Sequence, residues 1–191
     1  PTARIGISWV FPKKLVMAPG SSIASTTIVR NLDEIRLEES ARIGPWNWIT
    51  AFPSDSTKHY LHIKNRVTKL EIRKHASLTG RHIVDCTAPV LIEEYATVAG
   101  YRSQLLTHSI DVYACRQDCR AITVGKYSFV GTGSILVGGA VVPAFCVVAA
   151  GSVVTPGLQE ERCLYGGVPA KKLKTLGQEA KYLDRKIGHV A

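Results

Sequence analysis

Residues 124–159 read VGKYSF, VGTGSI, LVGGAV, VPAFCV, VAAGSV and VTPGLQ when cut in sixes. The first position is Val or Leu in every block, the second is small in most, and the fifth is Ser, Ala or Cys in the first five. A helix would place apolar residues at i, i+3, i+4 and i+7, which this pattern does not do. Plain strand alternation fails as well, because glycine recurs where it would weaken a strand. A period of six suits a coil with three flat sides, one hexapeptide to a side. The large first residue then fills the axis, and the small fifth residue fits beside it near the bend. Stacked coils bury a continuous core that no single coil could bury alone.

Upstream the period continues with less regularity. Blocks start at Leu37 and Ile43, followed by Ile49, and again at Ile72, Leu78 and Val84, then at Ile92, Val98 and Gln104. Residues 90 and 91 separate the last two triplets and are expected to form a bulge at a corner. The segment 16–33 fits only loosely. Two excursions from the coil are expected, near 53–71 and 110–123; the second begins just after His108. The expected organisation is a β-helix domain over 1–169, followed by a basic segment and helix over 170–191. In that segment Leu176, Ala180, Leu183 and Ile187 would share one helical face and cap the coil.

Composition removes several function classes. No apolar run approaches the roughly 20 residues needed to span a bilayer, so membrane insertion is not expected. The net charge of +9 brings no zinc-finger spacing, RNA-binding aromatic signature or basic heptads with it, so nucleic acid is not an expected partner. Cys115 and Cys119 lie four apart with no second pair or histidine beside them, so no metal site is expected. The five cysteines are expected to be reduced thiols of a cytoplasmic protein, since no cationic-then-apolar leader precedes the repeats.

Three motifs together resemble the hexapeptide-repeat acyltransferases. They are the repeat array itself, VVAAGSVVTPG (147–157) with YGGVPAKKLK (165–174), and LLTHSID (105–111) followed by an insertion and AITVG (121–125). The third is similar to the arrangement in maltose, galactoside and nodulation-sugar O-acetyltransferases. TGRHIVDC (79–86) with AGYRSQLLTHSID (99–111) looks closer to acetyltransferases of surface-polysaccharide biosynthesis. The resemblance implies an all-β solenoid, a left-handed parallel β-helix with an extruded loop and a short C-terminal helix. It implies a homotrimer, with acetyl-CoA as co-substrate and direct transfer of the acetyl group to a hydroxyl of a saccharide or related small-molecule acceptor.

An alcohol is too weakly acidic to attack a thioester unaided, and histidine suits the task of base. Of six histidines, His108 alone matches the family's catalytic position. Asp85 and Asp111 are both candidates to orient it, and His82 is a candidate for the acceptor pocket. For coenzyme A the resemblance points to Phe129, Gly131, Thr132, Ala150, Thr155, Lys171 and Lys174. Pro156 replaces the family's usual Lys and removes a phosphate partner, and Gly167 replaces the common Asn; Gly80 stands where the family has an acceptor-binding Asn, and that departure puts maltose-type or lactose-type acceptors in doubt. Two other classes use such a coil. A γ-type carbonic anhydrase would need three histidines converging on zinc across subunits, and a non-catalytic scaffold would need no site at all.

Overall fold

The computed structural model describes residues 2–188 and 190. Three parallel sheets wrap one core in seven successive coils. Face 1 stacks Arg4–Ile5, Ser22–Ile23, Arg42–Ile43, Ser77–Leu78, Thr97–Val98, Phe129–Val130 and Val147–Val148. Face 2 stacks Trp9–Phe11, Ile28–Arg30, Trp48–Thr50, Ile83–Asp85, Gln104–Leu106, Ile135–Val137 and Val153–Val154. Face 3 stacks Lys14–Met17, Glu34–Leu37, Lys69–Ile72, Val90–Ile92, Ile122–Val124 and Val141–Val142. The three-sided solenoid expected from the period of six is the fold, and it includes residues 16–33 in full register.

The axis is filled by the residues the period singles out. Val124, Val130, Leu136, Val142, Val148 and Val154 are fully buried. Their fifth-position companions Ser128, Ser134, Ala140, Cys146 and Ser152 are buried at the bends. There Ser128 Oγ donates to Pro143 O and accepts from Cys146 N, so a small polar group joins consecutive coils. Single residues in left-handed conformation turn most corners, among them His75, Tyr95, Tyr127 and Phe145 at the 3/1 edge. Gly131 is required for a different reason: a Cβ there would come within 2.7 Å of Ala150 N in the coil above.

Two phase readings need correction. The inward residue of the fifth coil is Leu105, paired with Val84 and Leu136, and not Gln104. Residues 90 and 91 form no corner bulge. Val90 and Ile92 both point inward from a longer face 3 strand, as do Leu70 and Ile72 below them. Leu78 and Val98 are therefore partners twenty residues apart, whereas Val130 and Val148 are eighteen apart. The mixed spacing is why the early repeats look irregular.

The expected C-terminal α-helix does not form. Cys163–Gly167 and Ala170–Thr175 make an antiparallel hairpin on face 1, so residue 170 lies inside a structural unit. Beyond it there is one 3-10 turn, Lys181–Asp184. Leu183 is buried, but Ile187 on the proposed helical face is 48% exposed. Contacts with the coil take the place of helix formation. Tyr182 meets Phe129 edge-on at 5.7 Å, and Arg185 lies over the rings of Tyr182, Tyr127 and Tyr95. The tail thus runs along an aromatic ladder in which Tyr95 and Tyr127 stack at 4.6 Å and Tyr127 and Phe145 at 5.4 Å.

Leu105 belongs to the coil that carries His108 and makes the core assignment testable. Leu105→Ala should cost about 2–5 kcal/mol in urea unfolding, and a loss below about 0.5 kcal/mol would place residue 105 outside the core.

Candidate active site

Both excursions leave the coil at the edge between faces 2 and 3. One follows Thr50 and rejoins at Lys69; the other follows Leu106 and rejoins at Ile122. Thr50 and Leu106 are the register partners of Asp85, below and above it. Asp85 therefore sits in the coil between the two loops, at the base of the space they enclose.

The second excursion is a hairpin in which His108–Asp111 pairs with Arg116–Cys119. At its root Asp85 Oδ2 accepts from the backbone N–H groups of Thr107 and His108, each at 2.9 Å, and lies 3.0 Å from His108 Nδ1. Oδ1 accepts from Thr87 Oγ1 at 2.6 Å. Burial pushes the Asp85 carboxyl up, but the hydrogen bonds from Thr107, Thr87 and His108 outweigh it and hold the pKa below the usual carboxylate value. Nδ1 of a neutral His108 must carry the proton for that contact, which leaves Nε2 with its lone pair. The His108 side chain is 40% exposed, and Nε2 has no hydrogen-bond partner among the described residues. The arrangement can take a proton from a group delivered to the open side of the ring.

Asp111 does not reach His108. It accepts from the N–H groups of Tyr113 and Ala114 at the hairpin tip and lies 3.7 Å from Arg116 Nε. The carboxylate is taken up in closing the turn. His82 is likewise placed away from any acceptor, because it is fully buried at the 1/2 edge. Its Nδ1 accepts from Ser103 N at 3.1 Å and its Nε2 meets Thr79 Oγ1 at 2.9 Å. It is a neutral corner residue whose pKa burial lowers to about 4.

Sequence reading missed the wall of the site. Phe52 meets His108 edge-on at 5.8 Å and also touches His59 and Tyr60. Arg66 donates to the carbonyls of Phe52, Pro53 and Thr87 and lies 4.4 Å over the Tyr60 ring, pinning the first excursion to the coil. Tyr60 is buried, which pushes its pKa up to about 12 and keeps it a neutral phenol. Nothing local in the sequence marks Phe52 or Arg66, because their roles depend on two loops leaving the same edge. Cys119 pairs with His108 across the hairpin, but burial raises its thiol pKa, the opposite of what an activated nucleophile needs.

The residues expected at coenzyme A lie elsewhere on the chain. Phe129 is on face 1, and Gly131, Thr132 and Ala150 are at or next to the 1/2 edge. Thr132 Oγ1 is tied to the backbone N and O of Tyr101, both at 2.9 Å. Thr155 and Lys171 line one cleft of about 400 Å³ at the C-terminal end, while Lys174 is exposed on the hairpin strand and is not among its lining residues. All of face 2 separates Phe129, Thr132 and Ala150 from His108 within one chain.

No protein-family profile matches the chain, and no curated protein matches it. Solved structures do. A hexapeptide-repeat acetyltransferase from Vibrio cholerae matches at 26% identity and a TM-score of 0.53, over 57% of this chain and 64% of that one. The same enzyme complexed with acetyl-CoA matches at 21% identity and 0.58, over 75% and 72%. An N-acyltransferase from Bacillus cereus, in complex with dTDP and coenzyme A, matches at 14% identity and 0.54, over 91% and 89%. The match thus spans just under two thirds of the first of these. The hexapeptide-repeat acetyltransferase fold that the motifs implied is the fold this chain shares.

His82 supplies a pH test. A histidine with a pKa lowered in the folded state contributes stability that is present above the unfolded value of 6.5 and is lost as the pH falls through the folded value near 4. Urea unfolding should weaken by up to about 3 kcal/mol over that window. His82→Gln should be less stable at neutral pH but show a flatter acid slope; an unchanged slope would contradict the assignment.

Proposed function

We propose that the protein is an acetyl-CoA-dependent O-acetyltransferase that moves an acetyl group to a hydroxyl of a saccharide or related small acceptor. The observation that carries this reading is the Asp85–His108 pair at the foot of two loops, in which the His108 side chain is 40% exposed and Nε2 has no hydrogen-bond partner among the described residues. Bound acetyl-CoA would supply the activated acetyl thioester. His108 Nε2 takes the acceptor's proton as its oxygen attacks, the C–S bond breaks, and the proton passes to the departing thiolate. Asp85 holds the ring and stabilises the imidazolium that forms in between. Direct transfer is favoured because no activated nucleophile lies beside the base among the described residues: burial raises the Cys119 thiol pKa, and Ser109 falls on the opposite face of its strand.

The donor residues fit this reading in a shared way. Phe129 offers a ring beside the 1/2 edge, and Lys171 and Lys174 offer charge. Phe129, Gly131 and Thr132 lie across face 2 from His108, so one chain does not bring them together with the base. Face 2 itself carries outward Trp9, Trp48 and Ile83 in ladder register, about half exposed each. Face 3 is different in kind, with Lys14, Glu34, Lys69, Glu71 and Arg73 forming a chain of ion pairs. We infer a homotrimer in which face 2 packs against a neighbouring copy, so that one chain's His108 meets another's Phe129 and Thr132. Five free cysteines and the use of acetyl-CoA accord with a cytoplasmic setting.

Two measurements test this. Thiol release from acetyl-CoA in the presence of a sugar panel should fall about 10²–10⁴-fold in His108→Ala, with the fold intact by circular dichroism; turnover retained in the variant would remove His108 as base. Analytical ultracentrifugation should give three chains for the wild type and smaller species with lost turnover for Trp48→Glu. A wild-type monomer with full turnover would overturn the shared site.

A further inference from the structure

The two excursions enclose a cleft of about 500 Å³ along the hairpin that begins at His108, although His108 itself is not among its lining residues. Lys58, His59 and His62 line it from the first loop; Arg116 and Gln117 line it from the hairpin. Phe52, outside that lining, touches a residue on each side, with its ring 5.5 Å from His59 and 5.8 Å from His108. Ile110 lies two residues along the hairpin from His108, on the same side of the strand, and also lines the cleft. An acceptor anchored in that cleft has to extend roughly 7 Å along the hairpin, the rise of two strand residues, to bring a hydroxyl to His108.

The polar character of the lining is one-sided. Lysine and arginine are donors only, and imidazoles donate as well. Among the described residues no carboxylate lines the cleft. From Ser56 to Leu70 the chain has Lys58, Lys64, Arg66 and Lys69 but no acidic residue. Lys58 and Lys64 have no ion-pair partner among the described residues, whereas the lysines of face 3 are paired. Arg116 is partly compensated by Asp111, and Tyr60 Oη is taken up by Gln117 Oε1 at 3.4 Å. A neutral sugar needs acceptors for its hydroxyl protons as well as donors, and this cleft offers few. Leu61, Tyr60 and Ile110 supply low-dielectric walls, which strengthen the pull of the lysine charge on an anion.

We infer that the acceptor is an anionic molecule, whose carboxylate or phosphate is bound by Lys58, His59, His62 and Arg116 while its hydroxyl faces His108. This rests on the reading of His108 as the base, and it narrows the acceptor class to charged saccharides or similarly charged hydroxyl compounds. Lys58, His59 and His62 are exposed residues of one loop, so their replacement leaves the coil's core untouched.

The test reads binding without turnover. Histidine-labelled ¹⁵N protein is titrated at constant ionic strength with glucuronate, glucose 6-phosphate and glucose, following the imidazole signals of His59 and His62. Saturable shifts are expected with one or both anionic sugars, at affinities about tenfold or more above glucose. A response to glucuronate alone identifies a carboxylate site, one to glucose 6-phosphate alone a phosphate site, and one to both a general anion site. Lys58→Ala/His62→Gln should weaken that binding about tenfold or more. The inference is overturned if glucose binds as tightly as the anions, if neither anion saturates the signals, or if the double variant binds unchanged. Loss of acetyl transfer in the thiol-release assay would not alter these results, so the two readings fail separately.

Discussion

Asp85 stays ionised although it is 6% exposed, because donors from Thr87, Thr107 and His108 converge on it from its own coil and the one above. An unpaired buried carboxylate would be expensive. Here the same bonds that stabilise the charge also fix the root of the hairpin and the plane of the imidazole. The parallel register supplies the geometry, since the partner of Asp85 in the next coil is Leu106, immediately before the excursion. The solenoid thus brings an acid and a base together from residues 23 apart with no helix or long side chain involved.

The rest of the molecule divides its labour by face. Face 3 covers its outer surface with paired charges, face 2 presents aromatic and aliphatic residues, and the 2/3 edge carries both loops. The loops depend on each other as well as on the coil. Arg66 anchors the first to backbone carbonyls, and Phe52 and Tyr60 carry it across to His108 and Gln117. The C-terminal tail closes the 3/1 edge over its aromatic ladder, with Arg185 as the contact common to three rings.

Much of the fold is legible in the sequence, because the period of six is an axial packing rule written once per side. It is clearest after residue 124, where each coil takes eighteen residues. It blurs earlier because face 3 there needs two inward residues per strand, which shifts the phase and made Gln104 look like the core residue in place of Leu105. His108 stood out through its motif, but the choice between Asp85 and Asp111 did not. Chain proximity favours Asp111, whereas coil stacking decides for Asp85, and stacking is invisible to local spacing. His82 and the tail misled for a related reason: residue type and helical spacing said nothing of the corner that buries the one or the ladder that straightens the other.

The central claim is that Asp85 sets the proton of His108 on Nδ1 and so leaves Nε2 free to act as base. Long-range ¹H–¹⁵N correlation of the His108 ring measures this directly. The account predicts that the neutral imidazole carries its proton on Nδ1 in the wild type, and that Asp85→Asn loses this preference. A neutral ring protonated on Nε2 in the wild-type protein would contradict it.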